Sequence, residues 1–250
     1  MASVSRSRVP DLPVGDAWGQ ALLTAADGRE SAVVLERDDG LVEVDPVLRN
    51  YFGAPETWSD RDHWAIERAG GRVLDLGAGA GRAALALQAL GQDVVALDVS
   101  PGAIEVCQRR GVRQCYVGTV DELIAMEPTP FDSVLALGNN LGLLASRERA
   151  EHVLNALAAI STRESLIVGT GLDPYTTEDP LHLAYHERNR KLGRLPGQVT
   201  IRVRHRNLAS PWFSLLWCSV NELADLCRSG PWRIAEVFPG SLYGVVLKRQ

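Results

Sequence analysis

Apolar and polar positions along this chain change rhythm twice. From Arg72 onward, short runs that are apolar on both faces alternate with helical patterns. RVLDL (72–76), DVVALD (93–98), QCYVG (114–118), SVLALG (133–138) and SLIVGTG (165–171) are the strand candidates. Between them GRAALALQAL, PGAIEVCQRR, TVDELIAM and SRERAEHVLNALAAI carry apolar residues at the spacing of one helix face. Strands buried on both faces and separated by helices specify a parallel sheet covered on either side. Before Arg72 the pattern is different. Asp16 to Ala26 predicts a short helix with Trp18, Leu22 and Leu23 on one side, and SAVVLERDDGLVEVD predicts a hairpin turning at Asp39-Gly40. An aromatic-rich stretch with Tyr51, Phe52, Trp58 and Trp64 then leads to Gly70-Gly71.

After Gly171 the alternation breaks again. PLHLAYHERNRKLG predicts a helix and VTIRVRHRN a strand of period two. NELADLCRSG predicts a further helix, and WRIAEVFPG with SLYGVVLKRQ two tightly joined, hence antiparallel, strands. The expected fold is α/β: a doubly wound, mostly parallel seven-stranded sheet with an antiparallel last strand, an N-terminal lid segment and an insertion after the fifth strand. Residues 1–69 are expected to form an arm, hairpin and lid. Residues 70–250 are expected to form the main domain, with an insertion at about 173–218.

Composition narrows the class. With 250 residues, 46% apolar and 23% charged, the chain can bury a sizeable core and shows no bias towards disorder. The first ten residues, polar and basic, are the exception and predict disorder. A net charge of −5 argues against a chain that coats nucleic acid or membrane as a whole. Cys107, Cys115, Cys218 and Cys227 form no CxxC pair, which suits reduced thiols and a cytoplasmic protein. MASVSRSRVPDLPVG has no apolar stretch behind its arginines, so no signal peptide is expected.

The chemistry concentrates in VLDLGAGAGRAALALQALGQDVVALDVS, residues 73–100. In a doubly wound sheet, ligands sit at the carboxyl ends of the strands where the winding reverses. Gly77, Gly79 and Gly81 fall there, where glycines permit a tight turn and let a ligand lie against the backbone. The helix that follows offers free amides to an anionic group. Asp98 ends the second strand, where a carboxylate can accept both hydroxyls of a ribose. Dinucleotide dehydrogenases show G-x-G-x-x-G; here the spacing is Asp75-Leu76-Gly77-Ala78-Gly79-Ala80-Gly81.

That pattern resembles the first motif of the class I, Rossmann-like S-adenosylmethionine-dependent methyltransferases, and the resemblance spans about residues 60–250. It implies S-adenosyl-L-methionine as cofactor. Asp75, Gly77, Ala78 and Gly79 would belong to the loop at its methionine end, Asp98 would take the ribose, and Val99 would pack on the adenine. After the third strand the family has a polar or acidic residue for the adenine amine; here Gly118, Thr119 and Val120 stand there, so a backbone amide or the Thr119 hydroxyl would serve. Gly138, Asn139 and Asn140 fall where the sulfonium and acceptor meet, with Asn140 on the acceptor side. Tyr51 is the lid residue expected near the methionine carboxylate.

Motifs that would name the acceptor are missing. After the fourth strand GNNLGL has neither the proline-rich stretch of base-amine methyltransferases nor the cysteine of cytosine-carbon enzymes. Asn139 and Asn140 are poor ligands for a hard cation, and the His182–His186 pair lacks a third ligand, so no metal is expected. By elimination the acceptor is expected to be a small molecule, methylated on oxygen or nitrogen, with RNA, a peptide or cofactor binding without catalysis as alternatives. No membrane contact is expected, and the chain would act as a monomer or homodimer.

In the insertion, His182, His186 and Asn189 recur on one helix face. His186 is the base candidate because histidine titrates near neutrality; Tyr175 and Asp173 are the others. Residues 188–221 hold seven basic residues and no acidic one, against 19 basic and 31 acidic residues elsewhere. Arg202, Arg204 and Arg206 would share one face of a strand. They read either as a grip on a carboxylate-bearing acceptor, with Arg202 and Arg204 in contact, or as charges guarding an exposed edge strand.

Overall fold

The computed structural model describes residues 12–126 and 129–250, with only the backbone of residues 48 and 49. The first ten residues, expected to be disordered, lie outside it. The chain opens with α1 (Ala17–Ala26), the hairpin β1 (Ala32–Arg37) and β2 (Val42–Pro46), then α2 (Val47–Tyr51) and α3 (Asp60–Ile66). The alternating region follows as β3 (Arg72–Leu76), α4 (Arg82–Ala89), β4 (Asp93–Asp98), α5 (Pro101–Arg109), β5 (Gln114–Val117), α6 (Val120–Met126), β6 (Phe131–Ala136), α7 (Arg147–Ala159) and β7 (Ser161–Leu172). The last third holds α8 (Pro180–Lys191), β8 (Gln198–His205), β9 (Leu208–Ala209), β10 (Phe213–Leu216), α9 (Val220–Cys227), β11 (Trp232–Phe238) and β12 (Leu242–Arg249).

Seven strands form one sheet in the order β11-β12-β7-β6-β3-β4-β5. β3 through β7 run parallel, while β12 is antiparallel to both of its neighbours, β7 and β11. Alternate residues of each strand feed opposite layers. Leu74, Val95, Val134 and Ile167 pack with Phe131, Leu154 and Trp232 on one face. Val73, Val94, Leu135 and Val168 pack with Leu87 and Cys107 on the other. Each fully buried aliphatic side chain contributes about 1.5–3 kcal/mol, which is why these strands read as continuous apolar runs. The winding reverses between β3 and β6, so the carboxyl end of β3 is the switch point.

A second, antiparallel sheet joins the two regions that flank the alternating one. Its order is β10-β8-β1-β2, with β9 on β8. The N-terminal hairpin and the insertion thus share a ladder, with Glu36 opposite Arg202 and Val34 opposite Arg204. Val33 and Val203 on its inner face pack over α1 and α5, and Val199 and Ile201 pack over Tyr185 of α8. β8 is therefore an interior strand, which corrects the reading of Arg202 and Arg204 as guards of an exposed edge.

Candidate functional site

The loop after β3 is held open by its backbone. Gly77, Gly79 and Gly81 have φ of 70°, 56° and 73°, a region that disfavours a side chain by about 1–2 kcal/mol. A Cβ added to Gly77 would lie 2.5 Å from Asn140 Nδ2, and one added to Gly79 would lie 3.5 Å from the Tyr51 ring. The amides of Gly77 and Ala78 donate to Leu97 O at 2.8 and 3.1 Å. Asn140 Nδ2 donates to Leu76 O at 2.8 Å and to Gly77 O at 2.9 Å. Cys107 Sγ donates to Gly79 O and Arg110 to Ala80 O. A loop fixed at so many points is preorganised for its ligand.

Asp98 meets this loop from β4. Its Oδ2 accepts the Gly79 amide at 2.9 Å and its Oδ1 the Ser100 amide at 2.9 Å. An ionised carboxylate has about four acceptor sites, so these two bonds leave one on each oxygen, the number a ribose diol requires. Burial pushes the Asp98 carboxyl up from its ordinary pKa, against the pull of the Ser100 and Gly79 amides. Val99 beside it is 69% exposed, an apolar side chain standing open. Asp75 lies beneath the loop: it is buried, accepts the Ala84 amide at 3.1 Å, and burial pushes its pKa up to about 7. It braces the start of α4 from below.

At the carboxyl end of β6, Gly138 and Asn139 both take left-handed backbones, with φ of 68° and 65°. The Asn139 amide donates to Thr170 Oγ1 at 2.9 Å, while its Oδ1 is buried with no hydrogen-bond partner among the described residues. No atom lies within 4 Å of a Cβ added to Gly138. An open cradle and an orphaned acceptor beside the glycine loop fit a bound ligand with a donor group. Beyond the loop, the Tyr51 hydroxyl donates to Asp45 Oδ2 at 3.2 Å and its ring meets Trp18 edge-on at 4.9 Å.

The other expected site residues are engaged elsewhere in the fold. Thr119 donates from both its amide (2.7 Å) and its hydroxyl (3.0 Å) to Glu122 Oε2, capping the start of α6 at Val120. His182 Nδ1 pairs with Arg37 at 3.0 Å, tying α8 to the hairpin. Asn189 is buried and donates to Pro196 O at 2.8 Å and Gln198 O at 2.7 Å, closing the turn into β8. Arg202 grips Glu36 through Nε at 2.9 Å and an Nη at 3.2 Å, and Arg204 joins it at 3.3 Å. His182, Asn189, Arg202 and Arg204, expected at the acceptor, thus each have partners within the fold.

His186 and Tyr175 have different surroundings. His186 is only 5% exposed, and its ring makes no hydrogen bond among the described residues. Burial, with Arg190, His182 and Arg37 nearby, lowers its pKa, so the ring is neutral at pH 7. The Tyr175 hydroxyl donates to Glu222 Oε1 at 2.7 Å, while burial and Glu222 push its pKa up to about 12.

Several residues at the site escaped the sequence pattern. Arg82 follows Gly81 directly, stacks over Trp58 and pairs with Asp62 at 3.2 Å. Arg61 Nε lies buried beside them without a hydrogen-bond partner among the described residues. Asp16 caps α1 and bonds Ser100 and Gly102 at the start of α5. Arg82's place next to the glycines and the Ser100-Pro101 helix start were available signals; Asp16 and Arg61 had none.

Fold and site together are those of a Rossmann-like α/β domain, the fold shared with solved S-adenosylmethionine-dependent methyltransferases. Residues 73–162 match the family model described as a methyltransferase domain, and that segment carries the glycine loop and Asp98. Two curated relatives, each a ubiquinone biosynthesis O-methyltransferase, match over 107 residues. The one from Xanthomonas euvesicatoria is 34% identical over 41% of this chain and 41% of its own length. The one from Xylella fastidiosa is 30% identical over 41% of this chain and 39% of its own. The chain thus spans about two-fifths of the length of the curated relatives it matches. Among solved structures, a methyltransferase from Bacteroides fragilis in complex with S-adenosyl-L-homocysteine superposes with a TM-score of 0.78 at 20% identity, covering 96% of this chain and 98% of that one. The CcbJ methyltransferase from Streptomyces caelestis superposes with a TM-score of 0.59 at 14% identity, covering 81% and 96%. Both likenesses are of fold.

Proposed function

We propose that this protein transfers a methyl group from S-adenosylmethionine to an oxygen or nitrogen atom of a small-molecule acceptor. The carrying observation is Asp98, with one acceptor site left on each carboxylate oxygen, beside a glycine loop fixed in a left-handed backbone. Bound cofactor supplies an activated methyl on a sulfonium, an excellent leaving group. The chain's own work is then to bind, align and exclude water.

Asp98 would hold the ribose hydroxyls, Val99 one face of the adenine, and the backbone of Gly77, Ala78 and Gly79 the methionine end. Asp75 would act by bracing the loop, and Gly118 and Val120 would border the adenine. Arg61 and Arg82 would receive the methionine carboxylate, with the buried Arg61 Nε as the unfilled donor, and the Tyr51 ring would border it beside Gly79. Gly138 and Asn139 would border the sulfonium, with Asn140 fixing the loop they face. The small sheet and α8 would serve as lid and acceptor wall.

His186 is the base of this reading. A buried neutral imidazole with no hydrogen bond of its own is ready to take the acceptor's proton as the methyl arrives. A small acceptor also suits the charge distribution. Arg188 pairs with Asp38 at 3.1 Å, Arg190 with Glu187 at 3.5 Å, and Arg202 and Arg204 with Glu36 at 2.9 and 3.3 Å. Guanidinium groups paired in this way offer no grip to a polyanion and give no reason to favour a carboxylate on the acceptor. The curated relatives are named as O-methyltransferases of ubiquinone biosynthesis, so hydroxyl-bearing acceptors are the first to try. Among the described residues no helix is long and apolar enough to cross a membrane; we place the protein in the cytoplasm as a monomer or homodimer.

The test uses methyl-labelled S-adenosylmethionine with a panel of phenols, amines and carboxylates. Transfer to a phenol or amine is expected, with kcat about 100-fold lower in His186→Asn. In the parent enzyme the acid limb of kcat should lie below the ordinary histidine range, because the base is lost only when the lowered pKa is passed. Tight cofactor binding with no transfer across the panel would instead indicate a non-catalytic binding protein.

A further inference from the structure

Ser100 joins two carboxylates that lie on opposite sides of it. Its amide donates to Asp98 Oδ1 at 2.9 Å, and its hydroxyl donates to Asp16, 2.8 and 2.9 Å from the two oxygens. Asp16 belongs to the N-terminal segment, 82 residues before the carboxylate at the end of β4. It also accepts the Gly102 amide at 2.8 Å and the Gly19 amide at 2.8 Å, so it closes the N-termini of α1 and α5 at once. The two helices meet there with no slack. A Cβ added to Gly102 would lie 2.7 Å from the Gly19 backbone, and one added to Gly19 would lie 2.5 Å from Ser100 Oγ.

We propose that Asp16 is a positioning residue for the cofactor, acting on Asp98 through Ser100. The proposal rests on the reading of Asp98 as the ribose carboxylate. Asp98 must present its two open acceptor sites in one orientation for a diol to bridge them. One of its oxygens is fixed by the glycine loop through Gly79, the other by the Ser100 amide. The Ser100 amide is only as fixed as the start of α5, and that start is pinned by Asp16 through a hydroxyl and a backbone amide. The N-terminal helix therefore sets the geometry of the ribose site without touching the ribose. Asp16 also adds a second negative charge near Asp98, which opposes ionisation of the latter. Asp75 from β3, Tyr51 from α2 and Cys107 from α5 also lie within electrostatic reach of Asp98, and Arg82 of α4 within reach of Asp75 and Tyr51.

The experiment is calorimetric titration of S-adenosylhomocysteine into Asp16→Asn, Asp16→Ala, Ser100→Ala and Asp98→Ala, at pH 7 and across the acid range, with thermal melts alongside. Asp16→Ala should weaken binding about tenfold, as expected for loss of hydrogen bonds to a charged acceptor. Asp16→Asn keeps an acceptor and removes the charge. It should bind within about threefold of the parent at pH 7. Its acid limb should move to lower pH, because without the neighbouring charge Asp98 ionises more easily. Ser100→Ala leaves the Asp16–Gly19 cap intact and should weaken binding as Asp16→Ala does, with the double variant no weaker than the larger single effect. Should Asp16→Ala fail to fold, Ser100→Ala and Asp16→Asn carry the test. Lower melting temperatures with unchanged affinity and an unmoved acid limb would reduce Asp16 to a helix cap and overturn the proposal. If Asp98→Ala itself bound like the parent, the underlying ribose reading would fail instead.

Discussion

At Gly77 two constraints coincide: a left-handed φ of 70° and an Asn140 amide 2.5 Å from any added Cβ. Gly77→Ala should therefore destabilise the fold by about 1–3 kcal/mol and weaken S-adenosylhomocysteine binding, as urea unfolding and calorimetry would show. Such a position is legible in sequence, because alternate glycines between an apolar strand and a helix have few other uses. Thr119 was not legible in the same way. A hydroxyl after a strand caps a helix or meets a ligand with the same chemistry, and only the position of Glu122 decides. His182 and Asn189 show the same limit: helical spacing places them on a face, while their partners Arg37 and Gln198 come from the tertiary fold.

Among the elements, the parallel strands of the main sheet were legible as short, mostly apolar runs bounded by turn residues, and β11 and β12 by the tight connection between them. β8 was half legible. Its alternation was plain, with Val199, Ile201, Val203 and His205 buried, but nothing in VTIRVRHRN shows that its neighbour is β1, more than 160 residues earlier. That pairing makes Arg202 and Arg204 partners of Glu36. Burial pushes the Glu36 carboxyl up, but the hydrogen bonds and charges of Arg202 and Arg204 outweigh it and hold its pKa below the ordinary range. A depressed carboxylate contributes stability above the unfolded pKa and loses it as pH falls through the folded one. Glu36→Gln should thus lose about 1 kcal/mol at pH 7, with parent and variant converging in melts once the pH drops below the usual carboxylate range.

For the whole molecule, the second sheet is what makes one body of an N-terminal hairpin, an insertion and a cofactor domain. Arg37 is its main bolt: buried, doubly bonded to Asp39 at 2.8 Å, and reaching His182 at 3.0 Å and Leu181 O at 3.2 Å. Arg37→Ala should cost about 2 kcal/mol. Hydrogen exchange should quicken in β1, β2 and β8 while β3, β4 and β6 keep their protection, since the main sheet has its own core. Uniform loss of protection would mean that the small sheet is not a separable unit. At this scale the sequence was least informative: it separated the hairpin from the insertion, and the ladder between them is a long-range pairing that no local pattern records.

All three scales converge on the carboxyl end of β3, so the most direct measurement is calorimetric titration of S-adenosylmethionine and S-adenosylhomocysteine into the parent protein and Asp98→Ala. Binding of both ligands by the parent, lost or weakened by at least about 100-fold in the variant, is the predicted result, since two charge-assisted bonds to the ribose disappear together. Equal affinity in the two proteins, or a response to a nicotinamide dinucleotide in place of either ligand, would contradict the account.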